Sequence, residues 1–190
     1  KVLSTGRPIY ARNKTEFMDG FAEISRRCSA VMAQEFNDGN GAGYFALMRE
    51  GELRVEFGHR RIRDVHPTGS GSALRESAFP AKDIRKAALA ILKELKWQGV
   101  AMVEFRIRPD GRPVFLEVNG RFWNSLPLAV YAGADFPKLL AEMAEFGDVK
   151  SSYAYKAGVR CRWLLGDFRH LLEVLKGAPF AYPGKFPGRF

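Results

Sequence analysis

The stretch Ala-Met-Val-Glu-Phe-Arg-Ile-Arg-Pro-Asp-Gly-Arg-Pro-Val-Phe-Leu-Glu-Val-Asn-Gly-Arg, residues 101–121, decides how this chain is read. Asp110-Gly111 lies between two alternating runs, and both residues tolerate the positive φ of a tight hairpin turn. With that turn Pro109 faces Arg112, Glu104 lies directly opposite Glu117, and Asn119 lies opposite Met102 on the same face. A four-residue loop centred on the same dipeptide keeps this register. The other face carries Val103, Phe105, Val114, Leu116 and Val118 and is expected to be core.

Directly opposed carboxylates, with Cβ atoms about 5 Å apart, repel each other and weaken a bare sheet. A hard cation removes that repulsion, because Mg²⁺ takes carboxylate and amide oxygens and leaves positions for substrate phosphates. Two carboxylates bridging two Mg²⁺ ions is an arrangement for phosphoryl transfer. Two other readings stay open on spacing alone. Glu104 and Glu117 could pair with Arg106 and Arg121 on a solvated face, or a bulge at Pro109 or Pro113 could shift the register and separate the acids.

Outward from this hairpin, the pattern is one of paired strands with helices between the pairs. Asn13 followed by Glu16 reads as a helix start, and Phe17, Phe21, Ile24 and Cys28 continue at helical spacing, so a helix is expected over 14–28. Val31–Phe36 reads as a short buried strand and Asn37–Gly43 as a loop broken by Gly39, Gly41 and Gly43. Tyr44–Arg49 and Glu52–Arg63 flank the turn Glu50-Gly51. Its geometry sets Ala46 opposite Val55 and Met48 opposite Leu53, a hairpin with one buried side. Pro67–Ser72 reads as a flexible loop, and Pro80 as part of the first turn of a helix. Ile84, Ala87, Ala88, Ile91, Leu92 and Leu95 define that helix. Further helices are expected near 136–146 and 167–176. The order argues for an α+β fold built on an antiparallel sheet rather than a doubly wound parallel one.

The chain has 190 residues, 46% hydrophobic and 13% aromatic, enough for one well-filled core. No apolar run approaches the roughly 20 residues that cross a bilayer, and no charged-then-apolar leader opens the sequence. Cys28 and Cys161 have no metal-ligand spacing, which fits reduced thiols in a cytoplasmic protein. The histidines at 59, 66 and 170 add no zinc pattern. Thirty Lys and Arg against 21 acidic residues give a net charge of +9, which suits a polyanionic partner. A nucleic-acid-binding module is the reading of another class. The sequence lacks its basic helix and aromatic ladder, and an opposed acid pair is a poor surface for a phosphate backbone.

Phe115-Leu-Glu-Val-Asn-Gly-Arg121, preceded by Val103-Glu-Phe105, resembles the metal-binding end of ATP-grasp enzymes, with carbamoyl phosphate synthetase large subunit and biotin carboxylase the nearest likenesses. Val31-Met-Ala-Gln-Glu-Phe36 with Gly39 resembles the hinge strand of that fold. His59-Arg-Arg-Ile-Arg63 before Pro67 resembles its basic strand, and Ala129–Phe136 resembles the segment after the motif. The likeness covers roughly residues 1–145. Gly120 stands where proline is frequent in relatives, and the lid glycines are reduced to Gly6.

The resemblance implies the C-terminal part of an ATP-grasp antiparallel sheet with flanking helices over residues 1–150, and a C-terminal extension over 151–190 packed on or following it. It implies a cytoplasmic ligase that binds ATP with one or two Mg²⁺ ions, Mn²⁺ being a substitute. Such an enzyme joins a small-molecule carboxylate to an amine through an acyl phosphate. It implies Glu104, Glu117 and Asn119 as metal ligands, and Arg61 and Arg121 as cations for phosphoryl charge. Gln34, Glu35 and Phe36 would form the adenine seat, and Lys1 would contact the ATP phosphates. No nucleic-acid or membrane partner is implied, and a homodimer is compatible with it. The same fold also admits a phosphotransferase or a nucleotide-binding remnant without turnover. Because Lys1 opens abruptly on a strand-like Lys-Val-Leu, the sequence is read as lacking an upstream part of the fold.

Overall fold

Glu50 and Gly51 both take positive φ, 51° and 82°, the backbone of a type I′ hairpin turn. They fold β1 (Asn40–Arg49) onto β2 (Glu52–Arg63). A computed structural model describes residues 8–69, 71–179 and 182–187. Next to the turn Arg49 pairs with Glu52 and Met48 with Leu53, after which a bulge makes Arg54 the extra residue and sets Leu47 opposite Val55. The expected Ala46–Val55 pair is therefore replaced by Ala46–Glu56. Tyr44, Ala46, Met48 and Leu53 then bury themselves on one side of the sheet, and Phe45, Leu47, Val55 and Phe57 on the other. The hairpin has two buried faces, not one.

Four more strands complete a sheet in the order β5-β4-β1-β2-β3-β6, every neighbour antiparallel. They are β3 (Leu74–Ser77), β4 (Gly99–Ile107), β5 (Pro113–Asn119) and β6 (Arg160–Arg162). The architecture is the α+β, antiparallel one expected. Helix α2 (Lys82–Glu94) covers one face through Ile84, Ala88 and Leu92. Its N-cap is Ala81, so Pro80 precedes the helix instead of opening it. The short α3 (Leu126–Ala132) and α4 (Phe136–Phe146) cover the other face with Leu128, Ala129, Ala132, Phe136 and Met143. Gly133, at φ 105°, ends α3, and Asp135 caps α4 by accepting from the Lys138 N–H at 3.1 Å. β6 joins residues 160–162 to the sheet edge, and α5 (Leu164–Lys176) follows it, opening three residues earlier than expected.

Two expectations fail near the N-terminus. Helix α1 (Lys14–Ser25) is capped as read, Asn13 Oδ1 accepting from Glu16 N at 2.9 Å, but it ends at Ser25 rather than 28 and buries none of its residues. Val31–Phe36 forms no strand. It is irregular and largely exposed, Met32 by 82%, because among the described residues no neighbouring strand answers its backbone groups. The loop expected at 37–43 is shorter, since β1 already begins at Asn40. No described helix is long and apolar enough to cross a membrane.

The turn offers a direct test of the fold. A Cβ on Gly51 would meet Lys93 O at 3.3 Å in a conformation that L-residues avoid. Gly51→Ala should lower stability by about 1–2 kcal/mol, read from the denaturant midpoint; an unchanged midpoint would show that the turn tolerates a side chain.

Candidate functional site

The hairpin of β4 and β5 does not form as its turn dipeptide alone dictates. Its closing bonds run from Gly111 N to Arg108 O, at 2.8 Å, and from Arg108 N to Arg112 O, at 3.0 Å. The loop is thus Pro109–Gly111, with Gly111 at φ 84°, one residue away from the expected turn. Ile107 pairs with Pro113, Arg106 with Val114 and Phe105 with Phe115; Leu116 is then bulged out, and Glu104 pairs with Glu117 and Met102 with Asn119. The offset of the loop and the bulge cancel, so the acids face each other after all. The bulge also turns Phe115 toward Phe105, with centroids 6.1 Å apart. β5 is an edge strand, and Val114, Leu116 and Val118 are only half-buried rather than core.

Arg61 supplies the charge that answers Glu104. It projects from β2, and to reach β4 it must pass over β1, where Gly41 and Gly43 occupy the same face. A Cβ on Gly41 would lie 3.1 Å from Arg61 Cδ, so glycine there opens the path. Arg61 Nη2 then donates to Glu104 Oε1 at 2.8 Å, and its Nη1 lies 3.7 Å from Asp64 Oδ1. Burial pushes the Glu104 carboxyl upward, Arg61 pulls it down and Glu117 pushes it up again, with a net rise. The Asp64 carboxyl is also raised by burial, against the pull of Arg61, Arg106 and His170. Glu104 thus sits between one cation, Arg61, and one like charge, Glu117. Glu117 is exposed and accepts from Asn119 Nδ2 at 2.8 Å.

The two guanidinium partners considered for the acids lie elsewhere. Arg106 Nη1 donates to Gly39 O at 2.8 Å and its Nη2 to Gly69 O at 3.2 Å, tying the start of β1 to the turn after His66. Arg121 is exposed past the end of β5 and donates to Phe122 O at 3.1 Å. Gly120 lies against the Trp97 ring, 2.9 Å from where a Cβ would stand, which leaves no room there for proline. His59 is buried against Phe45 and Ser125, and burial beside Arg61 and Arg75 lowers its pKa to about 3, so it stays neutral. It cannot serve as a proton carrier near neutral pH.

Two concavities adjoin these residues. A recess of about 630 Å³ is lined by Gly39, Gly41, Arg61, Asp64, Arg106 and Arg108. A larger one of about 1160 Å³ is lined by Gln34, Glu35 and Phe36 together with Phe17, Phe21 and Leu116. Phe36, Thr68, Gly69 and Arg106 form their shared wall. The Phe36 ring packs edge-on to Tyr10 and Tyr182, and Glu35 reaches Arg108 Nη2 at 3.3 Å. Lys1 and Gly6 lie outside the described residues.

Among the described residues no cluster of three or more His, Cys, Asp and Glu forms a metal cage. The oxygen set is two opposed carboxylates and one amide. That set fits Mg²⁺, which keeps several ligand positions for water and phosphate, and the Glu104–Glu117 repulsion is what a bound cation would relieve. Sequence reasoning missed Gly41, Gly43 and Asp64. The signal for the glycines was their spacing of two, which on a strand clears one face.

No family model matches the sequence, and no curated protein does. Solved structures do match in fold. The biotin carboxylase domain of Hydrogenobacter thermophilus 2-oxoglutarate carboxylase, solved with MgADP, ADP and bicarbonate, aligns over 77% of this chain and 34% of its own, with TM-score 0.57 and 12% identity. Biotin carboxylase from Campylobacter jejuni, in a β,γ-ATP complex, aligns over 73% and 32%, with TM-score 0.53 and 16% identity. N5-carboxyaminoimidazole synthetase from Staphylococcus aureus aligns over 75% and 39%, with TM-score 0.53 and 14% identity. The chain spans about a third of the length of these structures.

Proposed function

We propose that this chain, whose fold is part of the ATP-grasp fold, carries the metal- and phosphate-binding wall of an ATP-dependent ligase that joins a carboxylic acid to an amine. The observation that carries this reading is the Glu104–Glu117 pair beside Asn119, with Arg61 drawn across Gly41 onto Glu104. Opposed acids are a liability in a sheet that needs only to be stable. They become an asset where a cation must be held next to phosphate oxygens.

Glu104, Glu117 and Asn119 would hold one or two Mg²⁺ ions, with Mn²⁺ able to replace them, and the bound metal would neutralise charge on the ATP phosphates. Arg61, fixed between Glu104 and Asp64, presents a permanent positive charge beside the acids, suited to a phosphoryl group passing to the acid substrate. Arg121, exposed just past the end of β5, would serve the same charge. Gln34, Glu35 and Phe36 line the larger concavity and would seat the adenine; Lys1 would reach the phosphates. The acid becomes an acyl phosphate and ADP leaves. The amine then attacks the acyl carbon, an amide forms and phosphate leaves.

Calorimetric titration of ATP, with and without Mg²⁺, into the polypeptide that carries this sequence tests the reading. ATP should bind at least about tenfold more tightly with Mg²⁺. ADP should appear only when an acid substrate is present, and amide only when an amine is added. Magnesium-independent binding would remove the metal role, and ADP release without any acid would move the protein out of the ligase class.

A further inference from the structure

Next to Arg61 on β3 stands Arg75, its direct cross-strand partner on the same face. Like charges directly opposite each other destabilise a sheet. Arg61 has Glu104 and Asp64 to answer it, whereas Arg75 makes no ion pair among the described residues. Its side chain is nonetheless hidden, at 5% exposure. It donates one hydrogen bond, from Nη1 to Ser72 O at 3.2 Å, and its Nε has no acceptor. His59 Nδ1, Arg61 Nε, Asp64 Oδ1 and Ser72 Oγ are likewise buried without a hydrogen-bond partner, although Asp64 Oδ1 faces Arg61 Nη1 at 3.7 Å. These atoms follow one another along β2, β3 and the turn between them.

A buried guanidinium without a counter-charge is far more costly than an unmet hydrogen bond, so water alone does not account for it. The free Nε belongs to the edge of the fork that takes a carboxylate with two parallel bonds. Across the sheet the charges run Arg75, Arg61, Glu104, Glu117: two cations, then two anions. Metal and phosphates belong at the acidic end. The cationic end is one strand beyond the phosphoryl-facing Arg61.

We propose that Arg75, with Arg61 beside it, holds the carboxylate of the acid substrate. This rests on the ligase reading above, and it assigns the acid to the β2–β3 side of the site. It also makes Arg75 a residue retained at the expense of stability.

The test is thermal unfolding of the wild type, R75Q, R75K and E117Q in sodium chloride, acetate, oxalate or inorganic phosphate at equal ionic strength. In chloride, R75Q should melt no lower than wild type, because an uncompensated buried charge has gone. Acetate and oxalate should raise the wild-type and E117Q midpoints above chloride, and R75Q should lose that rise. R75K keeps the charge without the fork and should bind oxalate about tenfold more weakly. R75K decides the matter if R75Q does not fold. A wild type that no carboxylate stabilises, an R75Q that keeps the protection, or protection by phosphate alone would each overturn the proposal. Mg·ATP protection is measured alongside. Its absence in wild type would sink the ligase reading while leaving the carboxylate result to stand or fall separately.

Discussion

Glu117→Gln should cut magnesium-dependent ATP turnover roughly 100- to 1000-fold, the scale of losing one preorganised charge-stabilising group, and should leave the melting temperature unchanged or higher. The two halves of this expectation come from the same pair. Glu117 lies opposite Glu104 and contributes to pushing the Glu104 carboxyl upward, so neutralising it relieves repulsion in the folded state. Its side chain is exposed and accepts from Asn119 Nδ2, and the glutamine oxygen can accept that same bond. A residue whose task is packing or strand pairing would show the reverse: lower stability and intact turnover. Activity and unfolding measured on one preparation separate these cases, and a variant that turns over normally would remove Glu117 from the site.

The register of the acids was legible although the hairpin that sets it was misread. The dipeptide Asp110-Gly111 marked the reversal, but the chain closes at Arg108 and Arg112 with a three-residue loop. Nothing local marks Leu116 as bulged; the bulge shows only in the pairing, Phe105 with Phe115 on one side of it and Glu104 with Glu117 on the other. The same limit applied at Arg54. There alternation predicted one buried face, and a bulge distributed the apolar residues over two covered faces. Turn chemistry is local, whereas bulges answer tertiary packing.

Glycine was the residue most easily misread. Gly39, Gly41 and Gly43 looked like punctuation in a loop, yet the last two stand inside β1, where Gly41 leaves room for Arg61 and Gly43 for the Phe45 ring. The partners of arginines were equally hidden. Arg106 is two residues from Glu104, on the same face, but it binds the carbonyls of Gly39 and Gly69, while Arg61, 43 positions away, takes the acid. Val31–Phe36 has a strand's composition without a partner strand among the described residues, and composition alone does not form a ladder. Fold class followed from periodicity; the site's cations depended on which strands became neighbours.

That dependence makes Arg61 the sharpest structural test. In Arg61→Ala, Glu104 is left with Glu117 and Asp64 nearby and no cation, its side chain only 17% exposed. Breaking a buried pair by removing one partner is costly because the remaining charge stays desolvated. Some solvent still reaches this pair, so the expected loss is about 2–3 kcal/mol, below the fully buried range. Arg61→Ala combined with Glu104→Gln should recover most of it, because the stranded charge has been removed as well. With the roles proposed for Arg61 as the cation for phosphoryl charge and Glu104 as a metal ligand, turnover should not recover in the double variant. Denaturant unfolding of the two single variants and the double variant closes the cycle. Additive losses would mean that Arg61 and Glu104 are not energetically coupled. The channel over Gly41 would then have no role in assembling the site.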